Sequence, residues 1–270
     1  MLHIGIVGTG AIGKEIARAI DDGTIPAKLV AIYDRQVGEA EEFAATLKQR
    51  PKVLPLKELV KECHIVVEAA SQPAVKEVAV AALSNSKHVM IMSVGALADK
   101  ALLEQIQALA REHHSNIYIP SGAICGLDGV KSAAIRGIDS VTITTRKPIK
   151  GLMGAPFVVK NKLDIEKFTE PTEIFYGPAA VAIREFPANV NVAASLSLVG
   201  IGFDKTMVRI IVDPTIKRNT HEINVRGEFG ELHTVVENVP SDTNPKTSFL
   251  AALSAIATLK QVCEPLKIGT

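Results

Sequence analysis

Up to residue 120, short apolar runs alternate with stretches in which apolar residues recur every three or four positions. That change of period predicts a chain of strand–helix units. The strand-like runs are Leu2-His3-Ile4-Gly5-Ile6-Val7, Lys28-Leu29-Val30-Ala31-Ile32-Tyr33, a short Lys52-Val53-Leu54 closed by Pro55, His64-Ile65-Val66-Val67-Glu68-Ala69-Ala70, Lys87-His88-Val89-Met90-Ile91-Met92-Ser93 and Asn116-Ile117-Tyr118-Ile119-Pro120. Helical spacing covers 11–21, 38–48, 56–62, 73–83 and 99–113. Ile12, Ile16, Ala19 and Ile20 share one face of the first helix, and Leu102, Leu103, Ile106 and Leu109 line the last. Pro73 opens its helix, where a missing N–H costs nothing. Six strands joined by helices make two mononucleotide-type halves and predict an α/β fold with a doubly wound parallel sheet. Ligands of such a sheet bind at the carboxyl ends of its strands. The loops 8–13, 70–73, 93–97 and 121–126 are therefore expected to share one crevice.

The pattern changes after residue 120. A run of small residues from Ser121 to Gly129 leads into a helix over 126–134, and Val141, Ile143 and Thr145 alternate as in an antiparallel strand over 140–146. Residues 147–178 carry Pro148, Pro156, Pro171 and Pro178 with Gly151, Gly154 and Gly177, and read as loop and short helix. A helix over 179–185, an apolar helix over 192–200 and strands over 206–212, 220–227 and 231–238 complete a mixed second domain. The helix over 249–259 is expected to return to the first. The predicted division is 1–120 plus 240–270 for the sheet domain and 121–239 for the smaller mixed α/β domain, with the active site between them.

The chemistry of the first domain lies in one turn. Gly8-Thr9-Gly10-Ala11-Ile12-Gly13 is a complete G-x-G-x-x-G between a strand and a helix, and Asp34 ends the second strand 21 residues after Gly13. Gly8 makes the turn, Gly10 admits a pyrophosphate and Gly13 lets helix and strand pack. The helix N-terminus, with Ala11 and Ile12 in its first turn, offers N–H groups and a positive dipole end. Asp34 is placed for a ribose 2′-hydroxyl, which favours NAD; Arg35 beside it suits a 2′-phosphate, so use of both NAD and NADP is expected. Ala70 and Ser71 lie in the loop after the fourth strand and are expected against the same cofactor.

Composition narrows the class. Hydrophobic residues reach 47%, enough for a core, while aromatics are only 4%, so aliphatic side chains must build it. A net charge of +1 without charge blocks argues against a nucleic-acid or membrane partner. The chain opens directly on a strand, and the apolar run 192–203 is too short to span a bilayer, so a cytoplasmic location is expected. Cys63, Cys125 and Cys263 are scattered, which suggests neither a disulfide framework nor a metal site.

Hydride chemistry also needs a group that manages a proton. Of seven histidines, His3, His64 and His88 fall in sheet strands, His113 and His114 end a helix, and His221 and His233 remain. Spacing leaves His221 open between a general acid/base at a strand end and a satisfied surface histidine. Cys125, in a loop before a helix, reads either as a nucleophile of the semialdehyde dehydrogenase type or as a small buried apolar residue. Asn189 and Asn244 at helix starts read as N-caps or as partners of a nicotinamide carboxamide. Lys246, Thr247 and Ser248 form a candidate anion pocket.

Several stretches together resemble the L-aspartate dehydrogenase family: the glycine turn at 8–13, Glu68-Ala69-Ala70-Ser71-Gln72, Pro120-Ser121-Gly122-Ala123-Ile124, Pro187-Ala188-Asn189-Val190-Asn191-Val192-Ala193-Ala194, Asn219-Thr220-His221-Glu222-Ile223 and Asn244-Pro245-Lys246-Thr247-Ser248. The resemblance spans nearly the whole chain. It implies a Rossmann domain plus a smaller catalytic and dimerisation domain, and a homodimer. It implies that His221 is catalytic and that Ala123 and Asn189 contact the cofactor. The implied reaction is reversible NAD(P)-dependent oxidation of L-aspartate to iminosuccinate, which hydrolyses to oxaloacetate and ammonia or feeds NAD biosynthesis. Lys205, Arg209, Arg218 and Lys246 are the candidate partners for the substrate carboxylates. The competing readings are a semialdehyde dehydrogenase using Cys125 and a non-catalytic nucleotide-sensing protein.

Overall fold

The computed structural model describes residues 1–187, 190–240 and 248–269, which fall into two compact units. The first comprises Met1–Pro120 and Ala252–Ile268. Its strands are β1 (Leu2–Val7), β2 (Ala27–Tyr33), β3 (Lys52–Val53), β4 (Ile65–Glu68), β5 (His88–Ile91) and β6 (Ile117–Tyr118). They alternate with helices α1 (Ala11–Asp21), α2 (Val37–Thr46), α3 (Leu56–Glu62), α4 (Gln72–Leu83) and α5 (Lys100–Glu112). The strands lie in the order β3-β2-β1-β4-β5-β6, and every pairing is parallel. This is the Rossmann arrangement, whose strand order reverses between β1 and β4.

The sequence explains the packing. Helices cover both faces of a parallel sheet, so its central strands are apolar on both sides, as Ile65, Val66 and Val67 are in β4. Ile16, Ala17 and Ile20 of α1 are fully buried, while Lys14 and Arg18 place their cationic ends over the Phe43 ring. Each buried Ile, Leu or Val contributes about 1.5–3 kcal/mol. Asp99 caps α5 by accepting from the Leu102 N–H at 3.1 Å. Ala255 and Leu259 join the core formed by Ile4, Ile16 and Ile20.

The second unit comprises Ser121–Ala251. After α6 (Leu127–Ala133) come β7 (Ile138–Lys147), α7 (Ile149–Leu152), α8 (Pro156–Lys160), β8 (Thr172–Pro178), α9 (Ala179–Glu185), α10 (Asn191–Val199), β9 (Met207–Val212), β10 (Asn219–Gly227) and β11 (Gly230–Asn238). The helix α11 (Phe249–Cys263) begins here and supplies the first unit's last segment. The five strands form a mixed sheet in the order β11-β10-β7-β9-β8, in which only β7 and β9 are parallel. The strand β8 falls where loop and short helix were expected. Its flanking prolines and Gly177 hide it, but it is an edge strand with a register shift between Glu173 and Phe175, where proline is tolerated. On the inner face His221 stands opposite Thr145, Ile223 opposite Ile143 and Val225 opposite Val141. Among the described residues no helix is long and apolar enough to cross a membrane.

Candidate active site

The glycine turn in the first unit is held by sterics as much as by hydrogen bonds. Gly8 has φ +101° and donates its N–H to the Tyr33 carbonyl at 2.8 Å. A Cβ on Gly13 would lie 2.0 Å from the Gly8 carbonyl oxygen, so α1 sits against the turn only because that position has no side chain. A Cβ on Gly10 would meet nothing within 4 Å. Gly10 is the N-cap of α1 and no side chain caps that end, which leaves backbone N–H groups for an anion.

Gly8, Gly10, Asp34, Arg35, Ala70 and Ser71 line a cleft of about 310 Å³. Ala11, Ile12 and Gly13 form the first turn of α1. Asp34 Oδ2 accepts from the Thr9 N–H at 2.7 Å and from Thr9 Oγ1 at 2.9 Å, and Oδ1 accepts from the Gln36 N–H at 3.0 Å. Burial opposes its charge, but hydrogen bonds from the Thr9, Gln36 and Arg35 backbone and the Thr9 hydroxyl outweigh this and hold the carboxyl below its usual range. Glu39 and Glu77 add two more acids to the lining. An uncapped helix end, an open glycine approach and an ionised carboxylate at the end of β2 together fit a dinucleotide.

Glu68 is a residue the sequence reading passed over. It ends β4 and is completely buried. Its Oε1 accepts from the Ala70 N–H and Ser93 Oγ, and its Oε2 from the Ser93 N–H, each at 2.9 Å. Burial raises its pKa while those donors lower it, and burial prevails. One carboxyl group thereby fixes the loops after β4 and β5, including the Ala70–Ser71 wall of the cleft. The available signal was an acid ending the apolar run Ile65-Val66-Val67.

In the second unit, the β-sheet's inner face carries a polar cluster. His221 is buried, which excludes the surface-histidine reading. Its Nδ1 lies 2.9 Å from Thr145 Oγ1. Burial, and then the positive charge of Lys147, push its pKa down to about 3, so the imidazole is neutral near pH 7. Lys147 is itself buried, and that burial pushes its pKa down to about 8. Asn219 and Asn238 pair across β10 and β11 and are both buried. Asn238 Nδ2 donates to the Ala123 carbonyl at 3.0 Å, tying the loop 121–126 to the sheet. Among the described residues, Asn219 Nδ2 and Asn238 Oδ1 have no hydrogen-bond partner.

Lys147 was missed because the alternation was ended at Arg146; one more residue puts it on the face of Val141, Ile143 and Thr145. The proposed carboxylate partners fare differently. Lys205 and Arg218 are exposed, and Arg209 is paired with Glu173 at 2.8 Å. Lys246, Asn189 and Asn244 lie outside the described residues. Cys125 is exposed, not buried as one reading expected, and lies just before the turn at Gly126 (φ +85°) that leads into α6. Among the described residues no cluster of histidine, cysteine and acidic side chains could hold a metal ion.

A family model described as aspartate dehydrogenase, C-terminal, matches residues 128–262, and one described as homoserine dehydrogenase, NAD binding domain, matches residues 8–120. The chain is 74% identical over 270 residues to an L-aspartate dehydrogenase of Methanocella arvoryzae, covering all of both chains. It is 53% identical over 271 residues to one of Methanosarcina mazei, again over the full length of both. The crystal structure of an aspartate dehydrogenase from Thermotoga maritima superposes with a TM-score of 0.76 at 28% identity, covering both chains completely.

Proposed function

The chain belongs to the L-aspartate dehydrogenase family, and from that membership we infer that it oxidises L-aspartate with NAD(P), with His221 as the proton acceptor. The full-length identity of 74% to an L-aspartate dehydrogenase carries the activity, and the alternatives of a Cys125 semialdehyde dehydrogenase and a nucleotide sensor are not favoured. The product is iminosuccinate, which hydrolyses to oxaloacetate and ammonia; the reverse reaction is reductive amination. A panel of amino acids offered with each cofactor tests the reading.

When bound, NAD(P) supplies the hydride acceptor. The residues that would hold it are Gly8, Gly10, Ala11, Ile12 and Gly13 at the pyrophosphate, Asp34 and Arg35 at the adenosine ribose, and Ala70, Ser71, Ala123, Asn189 and Asn244 along the remainder. The amine of aspartate must lose its proton before hydride can leave Cα. A neutral imidazole can take that proton, or activate the water that hydrolyses the imine. Acceptance at Nε2 requires the tautomer in which Nδ1–H donates to Thr145 Oγ1, so Thr145 orients the base.

Asp34 sets the balance between the cofactors. An ionised carboxylate repels a 2′-phosphate, while Arg35 attracts it. Replacing Asp34 with Ser removes the repulsion, and we expect the ratio of kcat/KM for NADP to that for NAD to rise about tenfold. An unchanged ratio removes Asp34 from cofactor selection.

The assembly we propose is a homodimer in the cytoplasm, with no nucleic-acid or membrane partner. Phe229, Val235 and Val239 expose apolar surface on or beside β11, an outer strand of its sheet. The three cysteines are free thiols, which suits a reducing compartment. Sedimentation should give a mass near twice the 28.8 kDa of one chain; a monomer at micromolar concentration contradicts the dimer.

A further inference from the structure

We propose that Glu68 is a positioning residue of the dinucleotide site: its carboxylate ties the cleft wall at residues 69–71 to the end of β5 and thereby sets the affinity for NAD. The proposal rests on the dinucleotide reading of the cleft and names a group that tunes it without touching the cofactor.

Three observations carry it. First, Glu68 stands where the strand order of the sheet reverses. It lies beside Val7 of β1, the residue before the glycine turn, and beside Ile91 of β5. The Ala69 N–H donates to the Val7 carbonyl at 2.8 Å, and the Met92 N–H to the Glu68 carbonyl at 3.0 Å. Second, the wall rests directly on the turn. The Ala69 carbonyl oxygen lies 2.6 Å, and Ala70 Cα 2.8 Å, from the place a Cβ on Gly8 would take. Ala69, Ala70 and Ser71 line the same cleft as Gly8, Thr9 and Gly10, and Glu68 itself does not line it. A shift of this wall therefore changes the cleft. Third, the side chain that anchors the wall is the buried carboxylate. Ser71 is the N-cap of α4 but makes no capping side-chain bond. Glu68 takes the Ala70 N–H on Oε1 and the Ser93 N–H on Oε2, each at 2.9 Å, and the Ser93 hydroxyl adds a third bond to Oε1 at 2.9 Å. The two bonds from Ser93 hold the carboxylate still, and the carboxylate holds Ala70.

The arrangement calls for a carboxylate and not merely a polar side chain. The two backbone N–H groups come from loops that follow different strands, and they arrive on different oxygens. Only a group that accepts at both ends meets both, and hydrogen bonds to an ionised acceptor are the strong ones. An amide of the same shape accepts at one end and donates at the other. Whichever way it is turned, its NH₂ faces a backbone N–H. A buried donor left without an acceptor is costly, so one of the two loops must move. A binding wall keeps its geometry only while the contacts behind it are locked.

The test is Glu68→Gln, which keeps the shape and removes one acceptor. Wild type and variant are compared for NAD affinity by calorimetry, for KM of NAD and of L-aspartate, for kcat at saturating substrates, and for melting temperature. Val89→Ala, a truncation of a fully buried residue near the amino end of β5, serves as the control for general destabilisation. Glu68→Gln should raise both the Kd and the KM for NAD about tenfold, with kcat and the KM for aspartate within about threefold of wild type. Val89→Ala should melt lower but keep the wild-type Kd for NAD. A wild-type Kd in Glu68→Gln overturns the proposal, and so does an equal rise in Val89→Ala, which would make the effect one of general loosening. Should Glu68→Gln not fold, Ser93→Ala decides: removing one of the two bonds that hold the carboxylate should raise the Kd about threefold, and an unchanged Kd overturns the proposal. Wild-type protein that does not bind NAD counts against the dinucleotide reading itself, whereas wild-type binding with unaltered variants counts only against Glu68.

Discussion

Replacing His221 with Ala should lower kcat for aspartate oxidation by about 10²- to 10⁴-fold, the usual contribution of a positioned general base. NAD affinity should stay at the wild-type value. His221 is buried, accepts no surface role and is held by Thr145 at 2.9 Å, so its ring has one orientation set by the sheet. Burial and Lys147 keep it neutral, the protonation state a base needs at the start of oxidation. Truncation also removes packing from the core, and a loss of about 1–3 kcal/mol in stability is expected alongside. Thermal melting separates the two effects, because a folded variant that binds NAD but does not turn over has lost only the chemistry. A variant that keeps a tenth of the wild-type kcat would show that the proton goes elsewhere.

The second large effect is expected at the glycine turn, where two neighbouring substitutions should behave in opposite ways. Gly13→Ala puts a methyl group 2.0 Å from the Gly8 carbonyl oxygen. The oxygen is backbone and the methyl is fixed directly on Cα with no rotamer to escape into, so the turn between β1 and α1 must open. A cost of about 3 kcal/mol is expected, lowering the melting temperature by roughly 6–12 °C and weakening NAD binding with it. Gly10→Ala puts its methyl group into open space. It should melt within about 2 °C of wild type, since it creates no clash. It should nonetheless bind NAD at least about tenfold more weakly, because the methyl stands where a pyrophosphate approaches the helix end. Equal melting temperatures for the two variants would show that Gly13 does not hold the turn, and unimpaired NAD binding by Gly10→Ala would move the pyrophosphate off α1.

The two units differ in how far their sequences reveal them. In the first unit the central strands β1, β2, β4 and β5 are mostly aliphatic and helices such as α1 and α5 bury one stripe, so local pattern and tertiary burial agree. The second unit is harder because its edge strand β8 is written in prolines and a glycine, which elsewhere mark loops. Its site is harder still. The His221 position is visible as a strand start, but its burial is set by segments distant in the chain, among them the neighbouring strand that carries Thr145. Lys147 reads as an ordinary surface lysine until β7 is extended by one residue. Glu68 is apparent only once β5 brings Ser93 beside it. Buried polar side chains are set by contacts between distant segments, and hydrophobic spacing along one strand does not encode them.

The most direct measurement is the initial rate of reduced nicotinamide formation from a panel of amino acids, each offered with NAD and with NADP. L-aspartate should exceed every other amino acid in kcat/KM by at least about 100-fold, as expected of a site that hydrogen-bonds its substrate's polar groups. Formation of oxaloacetate and ammonia should match the reduced cofactor. No turnover of L-aspartate with either cofactor, or a faster rate with another amino acid, would contradict the account.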